Sequence, residues 1–287
     1  MSGGFVFLNG EFVPEERAVV SVFDRGFLYG DGLFETLRMA NGRPFRWGLH
    51  WERLERGLGV LKLGLPFAGR ELESAALKLA SMNGILDGVL RLGVSRGRGA
   101  RGYSPRGAGP PTVVMVLSPG ATPSPTGPVE WRLATVSHRL PAGGAVAGFK
   151  NANKLLQVLA RMEAEELGAD EALLLDSEGR VAEGASGNIW WIEGSTLCTP
   201  PIDCGILPGI ARATVQEIGA ASGLAWSDKA APVSALRGAA GVFLSMSSLG
   251  LVEVVSLDGI PLARSPLTRR LWNDYQALVA SETRGAG

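Results

Sequence analysis

The arrangement of strand-like and helix-like runs is what most constrains the fold of this chain. Apolar residues alternate or cluster compactly in FVFLNG (5–10) and GLFETLRM (32–39), as in strands. They recur at helical spacing in HWERLERGLGVLKL (50–63) and RELESAALKLASM (70–82), and VLRLGVS (89–95) and TVVMVL (112–117) read as strands again. SPGATPSPTGP (118–128), rich in Pro, Gly, Ser and Thr, has no hydrophobic period. Beyond it come strand-like WRLATVS, an amphipathic helix NKLLQVLARMEAEELG (153–168), strands EALLLD, GNIWWIE and STLCTP, a helix from Gly209 to about Ala221, a strand GVFLS and a helix from Leu267. Strands and helices mix without regular alternation, which predicts an α+β fold rather than a Rossmann unit or a barrel. The 287 residues suit two domains, expected at 1–120 and 129–287 with a linker at 121–128.

Composition narrows the class. The 28 basic and 28 acidic side chains cancel, and 46% hydrophobic with 20% charged residues is ordinary for a globular protein. That balance recruits neither nucleic acid nor membrane. Cys198 and Cys204 lack CxxC spacing and a neighbouring histidine cluster, so no disulfide framework or zinc site is expected. The first residues, MSGGFVFLNGEF, do not read as a signal peptide, and the expected location is cytoplasmic.

Gly97, Gly99 and Gly102 in GRGARG satisfy the GxGxxG spacing of a dinucleotide fingerprint after a strand-like run. The following YSPRGAGPP is too rich in proline to open the helix that would receive a pyrophosphate, so nicotinamide binding is not expected. The loop reads instead as a source of arginines for an anionic ligand.

Lysine is scarce. Lys62, Lys78, Lys150, Lys154 and Lys229 are the only five, so few amines can act as nucleophiles. Lys150 follows a Gly-rich loop and precedes a helix start, a placement that can hold an amine rigidly and keep it partly neutral. The run FKNANKLLQVLARMEAEELGADEALLLDSEGRVAEGASGNIWW resembles the signature of fold-type-IV pyridoxal-phosphate enzymes: a lysine, a nearby Asn opening a helix, a DEALLLD strand and an E-G-x-x-x-N-I turn. FDRGFLYGDGLFETLR resembles a second stretch shared across that family, which extends the likeness over nearly the whole chain.

The resemblance implies a two-domain fold like that of D-amino-acid aminotransferases, a homodimer, and pyridoxal 5'-phosphate held as a Schiff base on Lys150 in the C-terminal domain. Glu183 matches the glutamate that pairs with the pyridine nitrogen and keeps it protonated; outside that run it would read as a turn residue. The helix start in GILPGIAR offers the backbone N–H groups of Ile210 and Ala211 to the phosphate, with alanine where the family has threonine. Arg53 in HWERL resembles the family's phosphate arginine, Ser247 aligns with a phosphate-binding threonine, and Ser248 would offer its N–H to a substrate carboxylate. Lys154 falls where some aminotransferases carry a tyrosine and is a further candidate for a cofactor contact.

Two features resemble one branch of the family. VSRGRGARGYSP is similar to the corresponding segment of aminodeoxychorismate lyases, where Arg101 would grip a carboxylate, and Thr36 matches a lyase threonine with a catalytic role. Other features lean toward the branched-chain and D-amino-acid aminotransferases. Arg91 lies where the branched-chain enzymes place a carboxylate-binding arginine, Glu35 replaces a lyase threonine, and Arg101 has a counterpart among D-amino-acid aminotransferases. Both readings take a small amino-carboxylate substrate. On the lyase reading Lys150 removes a ring proton and the products are 4-aminobenzoate, used in folate synthesis, and pyruvate. A catalytically silent binding protein of the same fold would need the pockets but not Lys150, Glu183 and Arg53 together.

Overall fold

Asn-Gly pairs turn the first two hairpins. Asn9 and Gly10 join β1 (Phe5–Leu8) to β2 (Glu11–Pro14), and Asn41 and Gly42 join β3 (Gly32–Ala40) to β4 (Arg43–Pro44). All four residues have positive φ, the conformation that a tight hairpin twist requires. Between them lies the short helix α1 (Arg25–Tyr29), and after them α2 (Trp47–Leu61) and α3 (Gly69–Asn83). The Glu71 carboxylate accepts the Ala68 N–H at 2.6 Å to start α3, and Gly84 at φ 63° ends it. β5 (Gly88–Ser95) and β6 (Thr112–Pro119) complete an antiparallel sheet of order β2-β1-β6-β5-β3-β4. Alternation along β3 turns Leu33, Leu37 and Met39 toward Leu54 and Leu58 of α2 and Leu72 and Leu79 of α3. Phe34, Thr36 and Arg38 take the opposite face.

The computed structural model describes residues 3–120, 126–141, 143 and 148–284, so residues 121–125 of the expected linker lie outside the described residues. The chain divides into a first unit of Met1–Thr122, Phe149–Asn153 and Val279–Gly287, and a second of Pro123–Gly148 and Lys154–Leu278. Phe149–Asn153 therefore group with the first unit, not with the C-terminal domain in which the sequence reading put Lys150. The reason is local packing. Phe149 is buried in the first unit's core, the Phe34 N–H donates to the Lys150 carbonyl at 2.9 Å, the Ala152 N–H donates to the Gly32 carbonyl at 2.9 Å, and Asn151 bridges Leu33.

The second unit contains β7 (Val129–Leu140), α4 (Leu155–Glu166), β8 (Glu171–Asp176), β9 (Val181–Gly184), β10 (Asn188–Glu193) and β11 (Thr196–Thr199). It continues with α5 (Ile210–Ala221), β12 (Ala225–Asp228), α6 (Val233–Arg237), β13 (Val242–Met246), β14 (Gly250–Leu257) and β15 (Ile260–Pro261), and α7 (Pro266–Glu282) begins within it. Its strands follow the order β12-β11-β10-β13-β14-β7-β8-β9, with β15 on β14. One further pairing, of β9 with β10 through Glu183 and Asn188, closes six of these strands into a ring. The sequence pattern predicted no barrel, because closure depends on a single non-local residue pair and leaves no periodic trace. Trp190 and Trp191 are fully buried, and Trp190 stacks on Phe243 with ring centroids 5.9 Å apart. Among the described residues no helix is long and apolar enough to cross a membrane.

Candidate functional site

In the first unit, β3 and the segment bearing Lys150 bring chemical groups together. The Lys150 Nζ lies 4.9 Å from the centre of the Phe34 ring, and the Arg91 guanidinium lies 3.7 Å from the same ring. Thr36 and Arg91 are direct partners in the β3–β5 ladder, so Phe34, Thr36 and Arg91 share one sheet face. The backbone bonds described above fix Lys150 against the other edge of β3. Gly57, inside α2, makes the anchor possible: a Cβ there would lie 3.1 Å from the Phe149 side chain and 2.7 Å from Leu33 Cδ1.

The opposite face of β3 carries a buried charge cluster. Glu35 accepts from Arg53 Nε at 2.8 Å and Nη2 at 2.6 Å, and from His50 Nδ1 at 2.7 Å. All three residues are at most 2% exposed. Burial raises the Glu35 carboxyl, but the hydrogen bonds and charges of Arg53 and His50 outweigh it and hold the group below the usual carboxylate range. Burial pushes His50 down, Glu35 opposes this, and the charges of Arg53 and Lys150 reinforce it. These effects favour neutral His50, in which Nδ1–H donates to the Glu35 carboxylate. The sequence reading assigned Arg53 to phosphate and gave neither Glu35 nor His50 a structural role. The available signal was the H-x-x-R step, which puts His50 and Arg53 on one helix face.

Arg101 is exposed on the loop after β5. GRGARG leads into β6 rather than into a helix, and Gly97 and Gly99 serve packing. A Cβ on Gly97 would lie 1.9 Å from the Pro110 carbonyl, and one on Gly99 would lie 2.7 Å from Arg25 Cδ.

In the second unit, the Glu183 Oε2 accepts from Asn188 Nδ2 at 3.0 Å and from the Leu207 N–H at 3.1 Å, and Asn188 Nδ2 also donates to the Leu207 carbonyl at 2.9 Å. Two residues on is Gly209, the N-cap of α5, which supplies no capping side chain to the first-turn N–H groups that include those of Ile210 and Ala211. A Cβ on Gly209 would lie 2.0 Å from Asn188 Oδ1, so any side chain there would displace the Asn188 amide from its bonds to Glu183 and Leu207. Glu183, Asn188 and the start of α5 thus form one connected group, in which the sequence reading had given Asn188 no role. Ser247 and Ser248 form the half-buried turn after β13, whose Ser245 is the ladder partner of Asn188. Lys154, expected on the helix, is the N-cap of α4, and the helix begins at Leu155. Asn153, expected to open that helix, instead donates from Nδ2 to the Gly30 carbonyl at 3.1 Å. Cys198 and Cys204 are buried free thiols, and burial pushes both up, Cys204 to about 11, which disfavours the thiolate.

The family model of class IV amino-transferases matches residues 32–257. The chain belongs to the class IV amino-transferase family. Within this family of pyridoxal 5'-phosphate enzymes, a putative branched-chain-amino-acid aminotransferase of Methanocaldococcus jannaschii is 36% identical over 255 residues, 88% of each chain. The aminodeoxychorismate lyase of Bacillus subtilis is 31% identical over 260 residues, 89% of this chain and 87% of its own. The T.th. branched-chain amino acid aminotransferase, solved with pyridoxamine 5'-phosphate, superposes with a TM-score of 0.90 at 31% identity, covering 98% of this chain and 95% of its own. The class IV family thus spans more than one reaction among these relatives, and membership alone does not select between them.

Proposed function

We propose that this pyridoxal 5'-phosphate enzyme converts aminodeoxychorismate to 4-aminobenzoate and pyruvate, a cytoplasmic step of folate synthesis. One observation carries the reading. Arg91 and Arg101 stand in the same unit as Lys150 on two separate supports, a sheet face and a loop, and two separately held guanidinium groups suit a dicarboxylate.

The residues present fit the cofactor. The uncapped start of α5, with Gly209 where a Cβ would collide with Asn188, suits a phosphate. The Glu183 carboxylate, oriented by two donors, suits a protonated ring nitrogen. In this reading Lys150 bonds the cofactor aldehyde. Arg53, the N–H groups of Ile210 and Ala211, and Ser247 hold the phosphate, while Arg91, Arg101 and the Ser248 N–H take substrate carboxylates. When bound, the cofactor supplies an electron sink for the pair released at the substrate's amine-bearing carbon. The Lys150 amine would take the proton from that carbon and later return one to the departing enolpyruvate. Thr36, on the same sheet face as Arg91, orients the substrate for these transfers.

A second reading, amino-acid transamination, is favoured by Arg91 itself, which like Lys150 lies against the Phe34 ring and would grip a single α-carboxylate. Lys150 would then take and return the proton at the substrate Cα, with the cofactor supplying the electron sink. A homodimer is part of the proposal on either reading. Exposed Val19, Val22, Phe23 and Phe27 in the first unit, and Leu155, Val158 and Met162 on one face of α4 in the second, are apolar surface that a second copy would cover.

The deciding assay supplies aminodeoxychorismate and follows 4-aminobenzoate and pyruvate, then supplies branched-chain and D-amino acids with 2-oxoglutarate. Formation of 4-aminobenzoate supports the lyase; transamination without it selects the second reading.

A further inference from the structure

Arg25 is 3% exposed, and its guanidinium is bonded on every side. Its Nε donates to Asp31 at 2.8 Å, its Nη1 to the Gly102 carbonyl at 2.8 Å and its Nη2 to the Tyr103 carbonyl at 3.0 Å. Asp31 also accepts from Arg96 Nε at 2.8 Å, while Arg96 Nη2 donates to the Leu61 carbonyl at 2.9 Å. The two arginines outweigh the effect of burial and hold Asp31 below the usual carboxylate range. The backbone adds three ties: the Arg25 N–H donates to the Gly97 carbonyl at 2.8 Å, the Gly99 N–H to the Phe23 carbonyl at 3.3 Å, and the Arg96 N–H to the Asp31 carbonyl at 3.0 Å. The Gly102 N–H donates to the Tyr29 hydroxyl at 2.9 Å, so both polar groups of Gly102 are held.

The loop from Gly97 to Tyr103 is therefore clasped by the DRGFLYGD segment, contrary to the free flexibility its glycines suggest. Gly102, at φ 110°, would otherwise give the chain beside Arg101 wide conformational freedom. We propose that Arg25, held by Asp31, is a positioning residue for substrate: it pins the backbone at Gly102 and Tyr103 and so presents the Arg101 guanidinium ready for a substrate carboxylate. A loop ordered beforehand does not subtract its ordering entropy from binding. The inference rests on the reading of Arg101 as a carboxylate ligand.

The test compares Arg25→Lys, Asp31→Asn, Arg101→Ala and the Arg25→Lys/Arg101→Ala double variant of the cofactor-loaded enzyme, measuring KM and kcat for aminodeoxychorismate and the rate of tryptic cleavage after Arg101. Arg25→Lys keeps the charge beside Asp31 but cannot reach both carbonyls. Loss of two hydrogen bonds should raise KM by about three- to thirtyfold with kcat nearly unchanged. Cleavage after Arg101 should quicken, and Asp31→Asn should follow in the same direction. In the double variant KM should match that of Arg101→Ala alone, because the clasp acts through that residue. Unchanged cleavage in Arg25→Lys would overturn the clasp. Equal KM penalties with and without Arg101 would overturn its link to that residue. An Arg101→Ala enzyme with unaltered KM would instead fail the substrate reading, and with it the clasp's role in binding, even if cleavage quickened.

Discussion

The two units carry their candidate functional groups in different ways. In the first, Thr36 and Arg91 stand on a sheet that packs its leucines on the other face, and Lys150 lies on a segment tied to the edge of β3. In the second, Glu183 and Asn188 are the pair that closes the ring of strands, and glycine at 209 leaves the Asn188 amide beside the start of α5 undisturbed. The candidate functional groups are thus separable from the fold in the first unit, whereas in the second the same residues, Glu183 and Asn188, pair the strands through their backbone and bond each other through their side chains. Substitutions should divide accordingly.

Lys150→Ala sharpens this contrast most. Turnover should fall roughly a thousandfold or more with the loss of the amine base, while the melting temperature of the cofactor-free protein stays within the range of ordinary surface changes. Borohydride reduction and peptide mapping of the parent protein should label Lys150; a label on Lys62, Lys78, Lys154 or Lys229 would refute the assignment.

Glu35→Ala is the place where the first unit should behave like the second. Removing the carboxylate leaves Arg53 charged and buried without its bidentate partner, which should cost about 3–5 kcal/mol in denaturant unfolding. A loss under about 1 kcal/mol would mean that the cluster contributes to cofactor binding alone.

Gly209→Ala tests the second unit directly. The added methyl overlaps Asn188 and should cost roughly 1–3 kcal/mol. Because Asn188 also orients Glu183, cofactor affinity measured by equilibrium dialysis should fall with stability; a drop in one without the other would break the comparison.

The smallest effect lies away from either group. The hydrogen bond from Arg132 leads the causes that bring Asp170 down to about 2, from an unfolded value of 3.8. Its contribution is therefore complete above about pH 4 and lost as pH falls toward 2. Since 34% of the Asp170 side chain is exposed, screening reduces that contribution to about 1 kcal/mol. Asp170→Asn should remove this part of the acid sensitivity and leave cofactor affinity unaltered.

Much of the local structure was legible before any coordinates. The alternation in GLFETLRM and VLRLGVS marked β3 and β5, and the helical spacing in residues 50–63 and 70–82 marked α2 and α3, because side-chain periodicity follows directly from backbone geometry. β2, β4, β9, β12, β14 and β15 were not singled out, and neither were α1 and α6. They are short or continuously apolar, so a period cannot identify them. Lys150 and Glu183 were found through motif order, whereas the partners that hold them were not.

By itself, then, the sequence determined the class of fold, the periodic elements, the family signature around Lys150 and the scarcity of alternative amines. Only the tertiary structure decided that Lys150 belongs with the first unit, that Glu35 joins His50 and Arg53, that Glu183 and Asn188 close the second sheet, and that Arg25 clasps the Arg101 loop. Periodicity and motif spacing are properties of neighbours along the chain. These other arrangements join residues far apart in sequence, such as Arg25 with Gly102, through hydrogen bonds and close contacts that exist only once the chain has folded.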